Sequence, residues 1–290
     1  MNFKDKLYGC LVCGAIGDSV GGRYEGSDTV DHVDFNFEWA ISDDTQLTLA
    51  TCEAIYNTSG VHPEKIAERF LYWYNCRMLS GLGSSTLKAL RELQVGGHWA
   101  LVGRSGEYAA GNGAAMRIAP LAFKENMDRL TIKDVCNITH KNDEAYTGAL
   151  AIYYSIHFAI TGKWSGGPGL ITMVREELAD TNVRDRLMEL EQYDDLSIIE
   201  IGGKYTPTGY VADSVPVAIF AAQKINTLDF KDIMTELILI GGDTDTTCSM
   251  TGQIIGALKG REVIPDDWVE KYQHLGIAGI VDEVVGNWKE

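Results

Sequence analysis

A chain of 290 residues, 45% hydrophobic and 23% charged, has the make-up of a soluble globule with a sizeable core. Its 25 basic and 41 acidic residues leave a net charge of -16 and no basic stripe, which excludes a duplex-binding surface and favours attraction of cations. The N-terminus MNFKDKLYG carries charges at Lys4, Asp5 and Lys6 and no apolar run follows, so no signal peptide is expected and the cytoplasm is the expected compartment.

Residues 3–22 read as a helix on which Cys10, Gly14, Gly17 and Gly21 recur every three or four positions. One side is nearly bare, so another backbone is expected to come very close there. Cys10 and Cys13 form a single C-x-x-C pair without a second pair or a histidine cluster; they read as small core hydrophobes, and all six cysteines as reduced thiols. Gly17-Asp18-Ser19 and Gly21-Gly22-Arg23-Tyr24-Glu25 lead into a polar loop ending near Asp34, where Glu25 taken alone is a solvated loop acid.

Ser42-Asp43-Asp44 opens the next helix, and capping accounts for one of those three residues. Pro63 starts another helix with Ile66, Phe70 and Trp73 on one side. It ends at Ser80-Gly81-Leu82-Gly83-Ser84-Ser85, either an anion cradle ahead of a helix over Thr86–Leu93 or an ordinary connection. In Gly111-Asn112-Gly113-Ala114-Ala115-Met116-Arg117 a helix is expected to begin at about Gly113, aiming its amides at whatever lies in front. The order is wrong for a Walker A loop and no strand precedes it, which argues against nucleotide triphosphate hydrolysis.

Thr139-His140 precedes a helix carrying Tyr146, Leu150, Tyr153 and Tyr154, and the lone His reads as structural. The uncharged stretch Ala145–Gly162 contains Ser155 and His157 and is expected to be a buried helix, not a membrane span. Residues 164–205 look charged and irregular, with one helix around Val183–Tyr193. Pro207-Thr208-Gly209-Tyr210 forms a loop, and Asp213-Ser214 caps a helix with Pro216 in its first turn. Phe230, Ile233, Met234, Leu237 and Ile238 repeat at helical spacing, as do Cys248, Gly252, Ile255 and Gly256, so the acids of Gly241-Gly242-Asp243-Thr244-Asp245-Thr246-Thr247 lie at a break between helices. No strand set or linker emerges. The expectation is one compact all-α domain of orthogonal helices over residues 1–290.

Asp243, Asp245 and Thr246 can converge in a tight turn, as can Ser42, Asp43 and Asp44. Four carboxylates in a small volume repel one another unless a cation neutralises them. Oxygen ligands without His or Cys suit Mg²⁺, Mn²⁺ or Ca²⁺, and two acid sets point to two ions. An EF-hand is excluded, since Ile254 falls where its closing Glu belongs. Asp243-x-Asp245-x-Thr247 also fits the nucleophile loop of haloacid-dehalogenase-like phosphatases, which needs Leu237–Ile240 as a buried strand. The helical period before the motif and its place near the C-terminus oppose that reading.

Six segments in order, GCLVCGAIGDSVGGRYEG, SDDTQLTLA, GNGAAMRIAPLAF, ITH, TGYVADSVPVAIF and GGDTDTTCSMTGQIIGALKG, resemble the ADP-ribosylglycohydrolase family. The resemblance implies a compact all-α protein with two Mg²⁺ or Mn²⁺ ions held by Ser42, Asp43, Asp44, Asp243, Asp245 and Thr246, Ser42 standing where Thr is usual. It implies catalytic roles for Glu25 and Asp44. It also implies contacts to the substrate from Gly81, Gly83, Ser84, Gly111, Asn112, Gly113, His140 and Tyr210. The implied partner is an ADP-ribosylated protein or a small ADP-ribose conjugate, with no nucleic acid and no membrane, and a monomer is expected. The early loop is most like that of the serine and poly(ADP-ribose) type, whereas AAGNGAAMR and TGYVADS look more like the arginine type, so the linkage stays open. The alternative is a non-catalytic ADP-ribose-binding or toxin-immunity protein.

Overall fold

The computed structural model describes residues 1–289. Its helices are α1 (Phe3–Gly22), α2 (Asp43–Ile55), α3 (Pro63–Asn75), α4 (Ser84–Gln94), α5 (Arg129–Asn137), α6 (Asp143–Thr161), α7 (Leu170–Glu176), α8 (Asn182–Leu190), α9 (Ile198–Gly202), α10 (Val211–Ala222), α11 (Phe230–Leu239), α12 (Thr244–Lys259), α13 (Asp266–Gln273) and α14 (Ala278–Asn287). Among the described residues the sheet content is one parallel pair of two-residue strands, β1 (Arg104–Ser105) and β2 (His140–Lys141). The fold is all-α, and no described helix is long and apolar enough to cross a membrane.

Helix α1 is buried at almost every position from Leu7 to Gly21 and apolar on all sides, the pattern of a helix enclosed by others. Asn2 caps it, its side chain accepting from the Asp5 N–H at 2.8 Å. Its chief partner is α12, which runs antiparallel to it. A Cβ on Gly9, Gly17 or Gly21 would run into the α12 backbone at Gly256, Cys248 or Thr244, and one on Gly252 or Gly256 into α1 at Cys13 or Gly9. The bare side read from the sequence is therefore a main-chain to main-chain contact. Because the helices are antiparallel, the C-terminal end of α1 arrives beside the N-terminus of α12, and this juxtaposition builds the site.

The structure corrects four local expectations. No α-helix starts at Gly113: Asn112–Ala114 is a single 3-10 turn, because Gly111 pairs with Tyr210 and the Asn112 N–H bonds the Gly209 carbonyl at 3.1 Å, giving the amides strand-like partners. The stretch 164–205 holds α7, α8 and α9 where one helix was read. They are too short to show a period, and α7 begins after Gly166, Gly167 and Gly169, all at positive φ. Helix α10 starts at Val211, so Asp213 and Ser214 lie inside its first turn and Pro216 beyond it. Helices α13 and α14 close the chain over the core through Trp268, Tyr272, Val281 and Val284, which the sequence reading left unassigned.

Candidate active site

Three remote pieces of chain meet at the end of α1. The Gly26 N–H donates to the Gly242 carbonyl at 2.8 Å and the Gly242 N–H to the Ser27 carbonyl at 2.9 Å, pinning the early loop to the turn before α12. Gly241 and Gly242 have φ of 72° and 83°, and a Cβ on Gly242 would strike the Pro207 carbonyl, so this turn needs glycine for conformation and for space. The result brings exposed Glu25 together with Asp243 and buried Asp245, their oxygens within 4.8 Å of one another.

The second set is deeper. Asp18, Asp44 and Asp245, all buried, also place oxygens within 4.8 Å of one another, so Asp245 belongs to both groups. The N-terminus of α2 is fastened to α1 through Asp18, which accepts from the Ser42 N–H at 3.0 Å, the Thr45 N–H at 3.1 Å and the Thr45 hydroxyl at 2.5 Å. The Ser42 hydroxyl serves as the N-cap of α2, accepting from the Asp44 N–H, and also donates to Asp44 Oδ2 at 3.1 Å. Thr246, 202 positions later, donates its hydroxyl to the same Oδ2 at 3.1 Å. The two acidic corners thus face each other across one cleft.

The electrostatics are those of crowded carboxylates. Burial, with the neighbouring Asp18 charge, pushes Asp43 up to about 8; burial, with Asp243, pushes Asp245 up to about 9. Asp44 is raised well above the usual range by burial and by Asp245, and Glu25 is raised by burial and Asp243. Asp18 reaches about 6 because burial outweighs its four hydrogen bonds. Asp44 Oδ1 is buried with no hydrogen-bond partner. An orphaned buried oxygen among raised carboxylates, with an all-oxygen donor set, fits a hard divalent cation.

The cleft holds about 680 Å³ and is lined by Glu25, Asp43, Asp44, Glu107, Asp243 and Asp245 among many neutral groups, with no Lys or Arg in its wall. Every substrate-contacting residue implied by the resemblance, Gly81, Gly83, Ser84, Gly111, Asn112, Gly113, His140 and Tyr210, lines it. Gly81 sits at positive φ over Asp43, a Cβ there falling 3.3 Å from Asp43 Oδ1. Ser84 accepts from Arg104 Nη1 at 2.9 Å, and the Tyr210 hydroxyl accepts from the Asn182 amide at 2.9 Å, which fixes its ring at the rim.

Two residues behave differently from the sequence reading. Asn112 donates its amide to Asp243 Oδ2 at 2.6 Å and to the Ser214 hydroxyl at 3.0 Å, so its side chain positions a carboxylate. Asp18, read as the approach to a loop, is a buried helical acid inside the site; it is the sole charge between Leu7 and Gly22, and that isolation was the available signal. Asp43 lines the cleft but stands outside both close carboxylate groups. The strand that a phosphatase loop would need is absent, since Leu237–Leu239 ends α11 and Ile240 caps it.

Fold and cleft together define an all-α protein with a carboxylate-lined cleft framed by glycine loops. The chain belongs to the ADP-ribosylglycohydrolase family, whose model matches residues 1–290. Similar proteins include an ADP-ribosylarginine hydrolase Tri1 of Serratia proteamaculans, 28% identical over 97% of this chain and 79% of that protein. An ADP-ribosylhydrolase ARH3 of Xenopus tropicalis is 25% identical over 92% and 89%. A solved structure titled ADP-ribosylglycohydrolase-related protein complex shares the fold, with a TM-score of 0.65, 23% identity and coverage of 98% of this chain and 99% of that one.

Proposed function

We propose that this protein hydrolyses the bond between C1″ of the distal ribose of ADP-ribose and a modified protein side chain or small conjugate. The observation that carries the reading is the hydrogen bond from Thr246 to Asp44 across 202 positions of sequence, in a cleft lined by carboxylates and by glycine and hydroxyl loops. Ser42, Asp43, Asp44, Asp243, Asp245 and Thr246 would hold two Mg²⁺ or Mn²⁺ ions, with Asp18 close enough to Asp44 and Asp245 to join them. Bound there, the cations supply Lewis acidity and an anchor for vicinal ribose hydroxyls.

The chain's own groups do the rest. Asn112, Thr45 and the Ser42 hydroxyl hold the acids in place. The loops over Gly81–Ser85 and Gly111–Gly113, apart from the Asn112 N–H already bonded to Gly209, offer backbone amides and hydroxyls to the diphosphate. Glu25, exposed at the cleft mouth, takes the proton of the water that attacks C1″. The surrounding carboxylates favour the positive charge that develops at C1″ as the bond breaks. Both relatives' names fit this chemistry, one specifying arginine and the other no side chain.

The test is side-by-side incubation with ADP-ribosyl-arginine and ADP-ribosyl-serine peptides, with Mg²⁺ or Mn²⁺ and with EDTA. Release of ADP-ribose from either peptide, abolished by the chelator and restored by the cation, is the expected result. Binding of ADP-ribose without turnover of either peptide or of O-acetyl-ADP-ribose would make the protein a binder and end the hydrolase reading.

A further inference from the structure

Behind the cleft wall lies a charge with no counterpart. Arg117 is fully buried, and no described ion pair includes it. Its Nε and Nη1 have no hydrogen-bond partner, and its guanidinium lies 4.8 Å from the ring centroid of Phe70. Burial lowers it to about 10, which still leaves it protonated at neutral pH. An uncompensated buried cation is costly, so what it touches matters. Only Nη2 is engaged, donating to the Val135 carbonyl at 3.2 Å and to the Thr139 hydroxyl oxygen at 2.8 Å.

That second bond fixes a chain of donors. A guanidinium can only donate, so Thr139 Oγ1 accepts from it. Thr139 is fully buried, and the one other partner of its hydroxyl is His140 Nδ1 at 2.8 Å. If Nδ1 carried the proton, the Thr139 O–H would be left buried without an acceptor. Satisfying every group requires Thr139 to donate to Nδ1, which places the ring proton on Nε2. That nitrogen faces the glycine loop of the cleft: Cβ atoms built on Gly111 and Gly113 would each fall 3.3 Å from it, and it has no partner of its own. His140 is held far from protonation, lowered to about 3 by burial and by the Arg117 and Arg104 charges.

We propose that Arg117, acting through the Thr139 hydroxyl, is a positioning residue that locks His140 as a neutral Nε2–H donor aimed at the substrate diphosphate. The cleft wall contains six carboxylates and, among the described residues, no Lys or Arg, so the side chains it can offer a diphosphate are neutral donors. A fixed imidazole N–H beside the Gly111–Gly113 amides supplies one, polarised by a cation that stays behind the wall. The diphosphate half rests on the function proposed above; the tautomer half does not.

The test uses the full chain labelled with ¹⁵N-histidine. Long-range ¹H–¹⁵N spectra of the ligand-free protein are expected to show His140 as the Nε2–H tautomer. Thr139→Val should convert it to a mixture or to Nδ1–H, and Thr139→Ser should restore it with an unchanged melting profile. Calorimetric affinity for ADP-ribose should fall about tenfold in Thr139→Val and recover in Thr139→Ser. A wild-type His140 carrying its proton on Nδ1 would overturn the proposal. So would an unchanged ADP-ribose affinity in a Thr139→Val protein whose tautomer has shifted. A wild-type protein that shows the Nε2–H tautomer but binds no ADP-ribose would instead sink the reading of the cleft and remove the diphosphate as the donor's target.

Discussion

Asp18 and Glu25 flank the end of the same helix and do different work. Asp18 is buried, spends its oxygens on Ser42 and Thr45, and lies against Asp44 and Asp245. Replacing it with Asn keeps the size and one acceptor but removes the charge and the second carboxylate oxygen. Groups that orient metal ligands typically cost 10–100-fold in affinity when lost. Asp18→Asn is therefore expected to weaken Mn²⁺ binding by roughly tenfold or more in calorimetry while the far-UV spectrum stays the same. Unchanged affinity would reduce Asp18 to a tie between two helices. Glu25 sits at the exposed mouth, where its loss leaves packing intact. General base catalysis contributes roughly 10²–10⁴-fold, so Glu25→Gln should cut turnover at least a hundredfold while ADP-ribose affinity moves by less than about threefold. Equal turnover in that variant removes Glu25 from the chemistry. Glu25 could be named from the sequence only through a family resemblance, since a loop acid by itself carries no signal. Asp18 fell inside the helix read over residues 3–22 but was missed as a site residue, because its depth of burial is a property of the packed pair.

The pair in question is α1 and α12, and its glycines were legible because small residues recur every three or four positions. What the sequence could not say was which helix lay across them, or that it ran antiparallel. Gly17 meets the Cys248 carbonyl, a main-chain atom that cannot rotate away. Gly17→Ala should therefore destabilise the protein by about 1–3 kcal/mol, the usual cost of overpacking, and should reduce activity with it, because the N-terminus of α12 carries Asp245 and Thr246. The control is Gly279→Ala in α14, an exposed position with no atom within 4 Å of an added Cβ. Alanine there should raise stability by about 0.5–1 kcal/mol, read from urea midpoints of the two variants. If both substitutions behave alike, the close approach of α1 and α12 is not what orders this fold. Elements α5, α7, α9, α13 and α14 escaped the sequence for a plainer reason. Each is ten residues or fewer, too short for a period to stand out, and they form because neighbouring elements bury their apolar faces.

At the scale of the whole molecule, the cleft is where α1, α2 and α12 are joined, and it is also where six carboxyl groups crowd into one wall. The chain as a whole carries a net charge of -16, so no excess of distant cations offsets that density. The acids that the proposed reaction needs are therefore a liability to the fold whenever no cation is present. Ligand binding to the native state alone stabilises by about 2.7 kcal/mol at a hundred times Kd, so Mg²⁺ at that excess should raise the melting temperature by roughly 5 °C or more over the EDTA-treated protein. Asp245 belongs to both carboxylate groups, and Asn in its place can still accept the Thr246 N–H, which now bonds Asp245 Oδ1 at 2.7 Å. Asp245→Asn should consequently melt higher than wild type in EDTA, by relief of repulsion, and lower than wild type in saturating Mg²⁺, by loss of a shared ligand. The crossing of those two orders is the diagnostic, because a purely structural Asp245 would make the variant less stable in both buffers, and a merely tolerated surface acid would leave both unchanged.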